Sequence, residues 1–181
     1  WKSQFADPAP TLDLPADRSR PAVQTYAGGR ATMRLDAAVT AELRQTGARQ
    51  GASLFLTLLS AFQILLHRLS GQDDVVVGVP FEGSDRSEPG GARLVANSTN
   101  VMPLRSRIGG NTTFPELLSA NRALVLEAAE HQEYFFGDLI TAFGLPFDAS
   151  RAPLFSTFFN YETGRFQREV DGLRVELVSD R

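Results

Sequence analysis

The segment from Ser53 to Pro80, SLFLTLLSAFQILLHRLSGQDDVVVGVP, limits what this chain can become more than any other. Ser53 suits a helix N-cap, and the run behind it to about Leu69 is apolar on most faces of a helical period. Leu54, Leu58, Leu65 and Leu69 fall on one side, and Phe55, Phe62 and Leu66 elsewhere round the axis, as in a helix buried in a core. Ser70-Gly71 stops the helix and an acidic turn follows. Val75 to Val79 is then a β-branched run of the kind that fills a strand covered on both faces. Pro80 is expected to end that strand. Such a unit belongs at the centre of an α/β core. The apolar run Leu54 to Leu66 is shorter than the ~20 residues a membrane span needs, and it contains Gln63.

The flanks supply the rest of the architecture. Residues Trp1 to Pro21 are rich in Pro, Ala and Asp, which predicts an extended connector, with Leu12 and Leu14 able to pack it onto a surface. Ala31 to Leu35 alternates like a strand. Asp36 reads as the N-cap of a helix to Arg49, weakened near its end by Gly47 and closed by Gly51. Phe81 to Arg93 reads as a surface loop, in which Gly83, Gly90 and Gly91 lack phosphate-loop spacing. Asn100 to Arg105 predicts a strand that Pro103 places at an edge or a bulge. Thr113-Phe114-Pro115-Glu116 is a capping box for a helix to about Glu130, and a short helix over Phe136 to Phe143 follows. Leu154 to Tyr161 reads as a strong strand, and Leu173, Val175 and Leu177 as a half-exposed one. Alternating strands and helices give the class α/β.

Composition narrows the function. Eighteen Lys+Arg against 21 Asp+Glu, with no basic stripe, argue against a nucleic-acid partner. With no Cys there is neither a disulfide frame nor a thiolate metal site, which suits a cytoplasmic protein. No signal-peptide pattern opens the chain. Trp1 stands where an initiator Met would, and the last residues follow a strand-like segment, so the chain reads as a piece of a longer protein. No HExxH-type spacing, GxSxG elbow or Walker loop is present, and no metal is expected.

Among single residues, His67 reads as a helix-end histidine that favours the negative end of the dipole. His131, in HQEY between two helices, reads either as a structural histidine bonding turn carbonyls through its ring or as a site-lining group. Asn100 reads either as a turn residue or as an amide that orients a substrate carbonyl or supports a wall. Arg105 and Arg151 have surface or structural ion pairs as their default, and Arg151 follows Asp148 and Ser150 in what reads as a hydrogen-bonded turn.

Five stretches, in order, resemble the C-terminal lobe of a nonribosomal peptide synthetase condensation domain. Trp1 and Leu14 to Pro21 (LPADRSRP) match a Trp followed by LP-x-D-x-x-RP. Leu54 to Pro80 matches the family's buried helix and strand. LVANSTNVMPLR, Leu94 to Arg105, corresponds to IGxFVNTLxLR; Asn100, Leu104 and Arg105 match, while Ala96, Ser98 and Val101 replace the usual Gly, Phe and Thr. HQEYFFG, His131 to Gly137, corresponds to HQDYPFE; His131, Gln132, Tyr134 and Phe136 match, with Phe135 for Pro and Gly137 for Glu. FDASRAPLF, Phe147 to Phe155, corresponds to RDxSRxPLF with only the leading Arg lost.

The resemblance implies a chloramphenicol acetyltransferase-like lobe, a mixed sheet packed with helices and incomplete, with residues 1–21 as inter-lobe connector and 22–181 as part of the C-terminal lobe. It implies an amide bond formed between donor acyl or peptidyl and acceptor aminoacyl thioesters in a tunnel between two lobes. The implied partners are the N-terminal lobe of the same domain, donor and acceptor carrier proteins with their phosphopantetheine arms, and a neighbouring adenylation domain; no cofactor is bound directly. The loop Phe81 to Arg93 would bridge towards the other lobe. The family's catalytic His lies in HHxxxDG, which this sequence lacks, so no catalytic residue is carried over. Asn100, Ser98, Arg105, His131, Gln132 and Arg151 are the implied tunnel residues. The alternatives are a degenerate relative that only recruits partners, or an epimerization, heterocyclization or acyltransferase relative.

Overall fold

Local capping chemistry sets the helices of the computed structural model, which describes residues 1–82, 97–163, 167–170 and 172–176. Asp36 opens α1 (Ala37–Arg49) by accepting the Val39 amide at 2.7 Å. Ser53 opens α2 (Leu54–Ser70) by accepting the Leu56 amide at 3.3 Å, and Gly71 ends it at φ 69°. After β1 (Asp74–Glu82) and β2 (Thr99–Arg107), Thr113 opens α3 (Phe114–Glu130) with the complete capping box that TFPE predicts. Then come α4 (Phe136–Phe143) and a small antiparallel hairpin of β3 (Gln167–Val170) and β4 (Leu173–Glu176). The mixed α/β character is as expected, a small sheet packed against helices, although the elements come in pairs rather than in strict alternation.

β1 and β2 pair antiparallel without interruption from Asp74↔Arg107 to Glu82↔Thr99. Successive side chains point to opposite faces. Val75, Val77 and Val79, with Met102 and Leu104 opposite them, join Leu59 and Leu66 of α2, Ala128 of α3 and Leu12 in the apolar core. The other face of β1 is covered too. Val76 lines a cavity, and the Phe155 ring lies over Gly78, where a Cβ would come within 2.4 Å of it. Gly78 is therefore required by a close approach. Gly47 answers a similar need where α1 meets α2, since a Cβ there would sit 2.2 Å from the Thr57 hydroxyl.

Several expectations need correction. Pro80 does not end β1, which runs on to Glu82. The amide and carbonyl of Gly78 point away from β2, to Thr157 O (2.9 Å) and Phe159 N (2.9 Å). Pro80 shares that parity, and Pro103 is paired with Gly78, so the missing N–H of each proline is one β1–β2 pairing never uses. Leu154 to Tyr161 is not a regular strand. Leu154, at its start, sits at φ 65°, and the segment makes a single parallel bridge, Gly78↔Phe158. Ala31 to Leu35 is unpaired, and Met33 is 82% exposed, because no described strand lies beside it. α2 is not buried all round: Leu65 and Leu69 are half exposed, whereas Thr57, Ser60 and Gln63 are buried. Leu12 enters the core but Leu14 does not. Most of the Phe81 to Arg93 loop, with Gly83, Gly90 and Gly91, lies outside the described residues, as do Leu94, Ala96 and Leu177.

No single helix among the described residues is long and apolar enough to cross a membrane.

Candidate functional site

β2 carries the two residues around which the site is built, and strand parity separates them. Asn100 and Arg105 are five positions apart, an odd number, so they leave the strand on opposite faces. Asn100 shares the helix-facing side with Met102, Leu104 and Ser106. Arg105 shares the opposite side with Pro103.

Asn100 is 5% exposed and holds the turn between α3 and α4. Its Nδ2 donates to the carbonyls of Gln132 (2.9 Å) and Tyr134 (2.7 Å), and its Oδ1 accepts the amides of Val101 (2.9 Å) and Phe136 (3.1 Å). An amide side chain offers two donor hydrogens and two acceptor lone pairs. All are taken by backbone, so Asn100 has none left to orient a substrate carbonyl. It shapes the turn that ends α3 and starts α4.

Arg105 is equally committed. Nε reaches both carboxylate oxygens of Asp74 (3.0 and 3.1 Å), and Nη2 reaches Asp74 Oδ2 (2.6 Å) and the Pro8 carbonyl (3.2 Å). Nη1 donates to the carbonyls of Gln4 (3.1 Å) and Asp7 (2.9 Å). The guanidinium carbon is 5.6 Å from the Phe5 ring centroid. The hydrogen bond with Asp74 holds the pKa of Arg105 above its ordinary value, against the opposing effect of burial. Arg105 is thus a fastening in this structure: its side chain is 4% exposed and its N–H groups face Asp74 and residues 4–8.

Beside the turn lies an aromatic margin. Phe136 and Phe155 meet at 5.0 Å between centroids, and Phe155 meets Phe158 edge-on at 5.0 Å. Phe155 is buried under these contacts, but Tyr134 (55%), Phe135 (60%) and Phe158 (56%) are exposed. Next to it, a cavity of about 410 Å³ opens between Pro8 to Leu12, Val76 of β1, Ile140 of α4 and the segment Leu145 to Ser156.

The remaining predicted residues scatter. Gln132 is brought to Asn100 through its carbonyl. Ser98 is half-buried just ahead of β2. His131 is exposed, and its backbone carbonyl, rather than a ring nitrogen, is engaged, by the indole N–H of Trp1 at 3.2 Å. Arg151 lines the cavity, with Nε 3.1 Å from Asp148 Oδ2 in an ion pair that falls short of hydrogen-bond geometry. The Ser150 hydroxyl and amide both donate to that carboxylate and draw the Asp148 pKa below its ordinary value. His67, at the end of α2, bonds the Gln72 carbonyl at 2.9 Å. No group of three or more metal-ligating side chains is assembled among the described residues.

Four residues have no counterpart among those that the sequence singles out. Asp74 partners Arg105 from 31 residues away. Leu145 and Pro146, ahead of the fifth motif, wall the cavity. Asn121 of α3 gathers Ser60, Gln63 and Ser106 in a buried polar network, for which a mid-helix Ser and Gln at a spacing of three in an apolar helix were the available signal.

The chain has clear relatives among known proteins. A family profile described as Condensation domain matches residues 1–178. Surfactin synthase subunit 1 of Bacillus subtilis (strain 168) is 39% identical over 162 residues, covering 90% of this chain and 4% of that protein. Tyrocidine synthase 2 of Brevibacillus parabrevis is 36% identical over 159 residues, covering 88% of this chain and 4% of that protein. The crystal structure of the X-domain from teicoplanin biosynthesis superimposes with a TM-score of 0.81 at 26% identity, over 87% of this chain and 35% of that one. The matched region thus spans 4% of the length of each of these two curated relatives.

Proposed function

The chain belongs to the condensation-domain family, and on that premise we propose that it forms one wall of a channel in which a nonribosomal peptide synthetase makes an amide bond. The substrates are a donor acyl or peptidyl thioester and an acceptor aminoacyl thioester, each delivered on a carrier-protein phosphopantetheine arm. The acceptor nitrogen forms the new C–N bond, the C–S bond of the donor breaks, the donor's carrier leaves as thiol, and the nitrogen loses a proton. Holding both tethered groups in line is worth on the order of 7–11 kcal/mol of such a barrier. A wall contributes by shape.

The observation that carries this reading is the exposed aromatic margin of Tyr134, Phe135 and Phe158. It stands beside a turn whose backbone Asn100 holds at three points. An ordered apolar edge of this kind fits a companion surface. In this reading the companion is the N-terminal lobe, and Ser98, Gln132 and His131 border the channel around the turn. The proton-handling imidazole comes from the companion. Arg151 and Asp148 close the neighbouring cavity, and residues 1–21 connect the lobes.

The test is a graft. Residues 1–178 replace the matching segment of surfactin synthase subunit 1, and amide formation between loaded carrier proteins is followed by mass spectrometry. The graft is expected to make the amide, and the chain alone, given the same carriers, to make none. A folded graft that takes up loaded carriers without forming product overturns the reading in favour of a recruiting domain. Turnover by the chain alone removes the need for a second wall.

A further inference from the structure

We propose that Arg105 is a positioning residue: from β2 its guanidinium sets the path of residues 1–8 and so delivers Trp1 to the end of α3, beside the turn that Asn100 holds. The consequence for catalysis rests on the channel-wall reading; the geometry does not.

Residues 1–8 contain no helix or strand, only a turn in which the Phe5 amide bonds the Trp1 carbonyl at 3.0 Å. Their carbonyls need partners, and β2 offers a single side chain. The carbonyls of Gln4, Asp7 and Pro8 converge on Arg105, whose planar fork reaches them while still gripping Asp74. A lysine ammonium has one nitrogen and could not span these sites. Phe5 completes the grip, stacked by the guanidinium on one side and meeting Phe143 of α4 at 5.4 Å. Arg107 adds an exposed ion pair to Asp7 at 3.0 Å, of the kind that contributes little. With residues 4–8 held there, Trp1 packs against the core, and its indole N–H reaches the His131 carbonyl. One strand therefore fixes both the strap and the turn, from opposite faces. Under the channel-wall reading, whatever the strap leads to is set at a defined offset from the turn.

An ion pair alone would make Asp74 and Arg105 equally necessary to the strap. A positioning role makes them unequal, because Asp74→Asn leaves the three carbonyl bonds in place. Trp1 is the sole tryptophan, so emission excited beyond the absorption of the three tyrosines reports the strap alone. Arg105→Lys and Arg105→Met are expected to shift Trp1 emission to the red. They are also expected to speed exchange of the Phe5 amide at least ~10-fold, the factor that one charge-assisted hydrogen bond is worth. Asp74→Asn is expected to leave Trp1 emission in place. If Asp74→Asn moves Trp1 as far as Arg105→Lys does, or if Arg105→Lys moves it not at all, the proposal fails. Far-UV circular dichroism establishes that each variant keeps its helices. Should both Arg105 variants unfold, nitrogen-15 arginine NMR of the unsubstituted chain decides: a locked guanidinium gives separate Nη signals, and averaged ones overturn the proposal. None of these readouts needs a carrier protein, so a failed graft and a failed strap are told apart.

Discussion

Two buried asparagines, one residue type in two regions, solve different problems. Asn121 is 1% exposed in the layer where α2, α3 and β2 meet, and all its partners are side chains: Ser60 (2.8 Å), Gln63 (2.7 Å) and Ser106 (2.9 Å). Asn100 is 5% exposed at the margin, and all its partners are backbone groups of its own strand and of the turn. The first fixes how regular elements pack together. The second stands in for the secondary structure that an irregular segment lacks, as Arg105 does for the strap. Regular elements satisfy their own backbone, so their buried polar residues are free to set register. Irregular segments must borrow partners, and here β2 lends them.

The comparison breaks first at Asn121. Asn121→Ala strands the Ser106 hydroxyl and the Gln63 carbonyl oxygen in the core, where Gln63 Nε2 already has no partner. Each stranded buried group costs ~1–3 kcal/mol, so a loss of about 3 kcal/mol is expected, a large share of a domain's usual 5–15 kcal/mol. Urea denaturation should show the midpoint falling with an unchanged slope. A smaller shift than that of Asn100→Ala would reverse the ranking.

Asn100→Ala frees four backbone groups, one more than the three side chains that Asn121 gathers, but beside exposed Tyr134 and Phe135, where water can take over. The expected global loss is ~1–2 kcal/mol. The larger signal is local: the Val101 and Phe136 amides, both held by Oδ1, should exchange faster while core amides of β1 stay protected. Uniform acceleration across the chain would mean that the turn and the core open together.

What the sequence disclosed follows the same division. Helix starts at Asp36, Ser53 and Thr113 were legible because a cap and its target amide lie within three residues. The buried strand was legible from a run of valines, but its end at Glu82 was not. Pro80 is harmless only because its side of β1 faces away from β2, a fact of pairing. LFSTFFNY has the composition of a strand, yet it opens at a left-handed Leu154 and meets β1 only at one parallel bridge to Gly78, a matter of tertiary contact that composition does not carry. The Asn121 network joins residues 58 and 61 apart, beyond any local pattern. The motif residues Asn100 and Arg105 could be picked out, but the resemblance groups them together although strand parity separates them. Their partners could not be read, because these are backbone groups, mostly of irregular chain, and an aspartate that the β1–β2 register sets opposite Arg107, diagonal to Arg105.

The smallest expected effect is a pH dependence confined to the start of α3, and it tests whether a fully local polar device belongs with either asparagine. Glu116 accepts the Thr113 amide at 2.8 Å and its hydroxyl at 2.8 Å, and these bonds draw its pKa below the ordinary 4.5. A carboxylate whose folded pKa is depressed stabilises the fold above its unfolded value and loses that contribution as pH falls through the folded one. Stability should therefore decline as the solution is taken below about pH 4.5, and Glu116→Gln should flatten part of that decline. Asp148, drawn below its ordinary 3.8, loses its contribution lower on the same acid limb, so Asp148→Asn is needed beside it and the two effects should add. If Glu116→Gln leaves the acid limb of a urea-midpoint titration unchanged while Asp148→Asn flattens it, the capping box is geometric only. The Glu116 charge would then carry no measurable share of stability, in contrast to both asparagines.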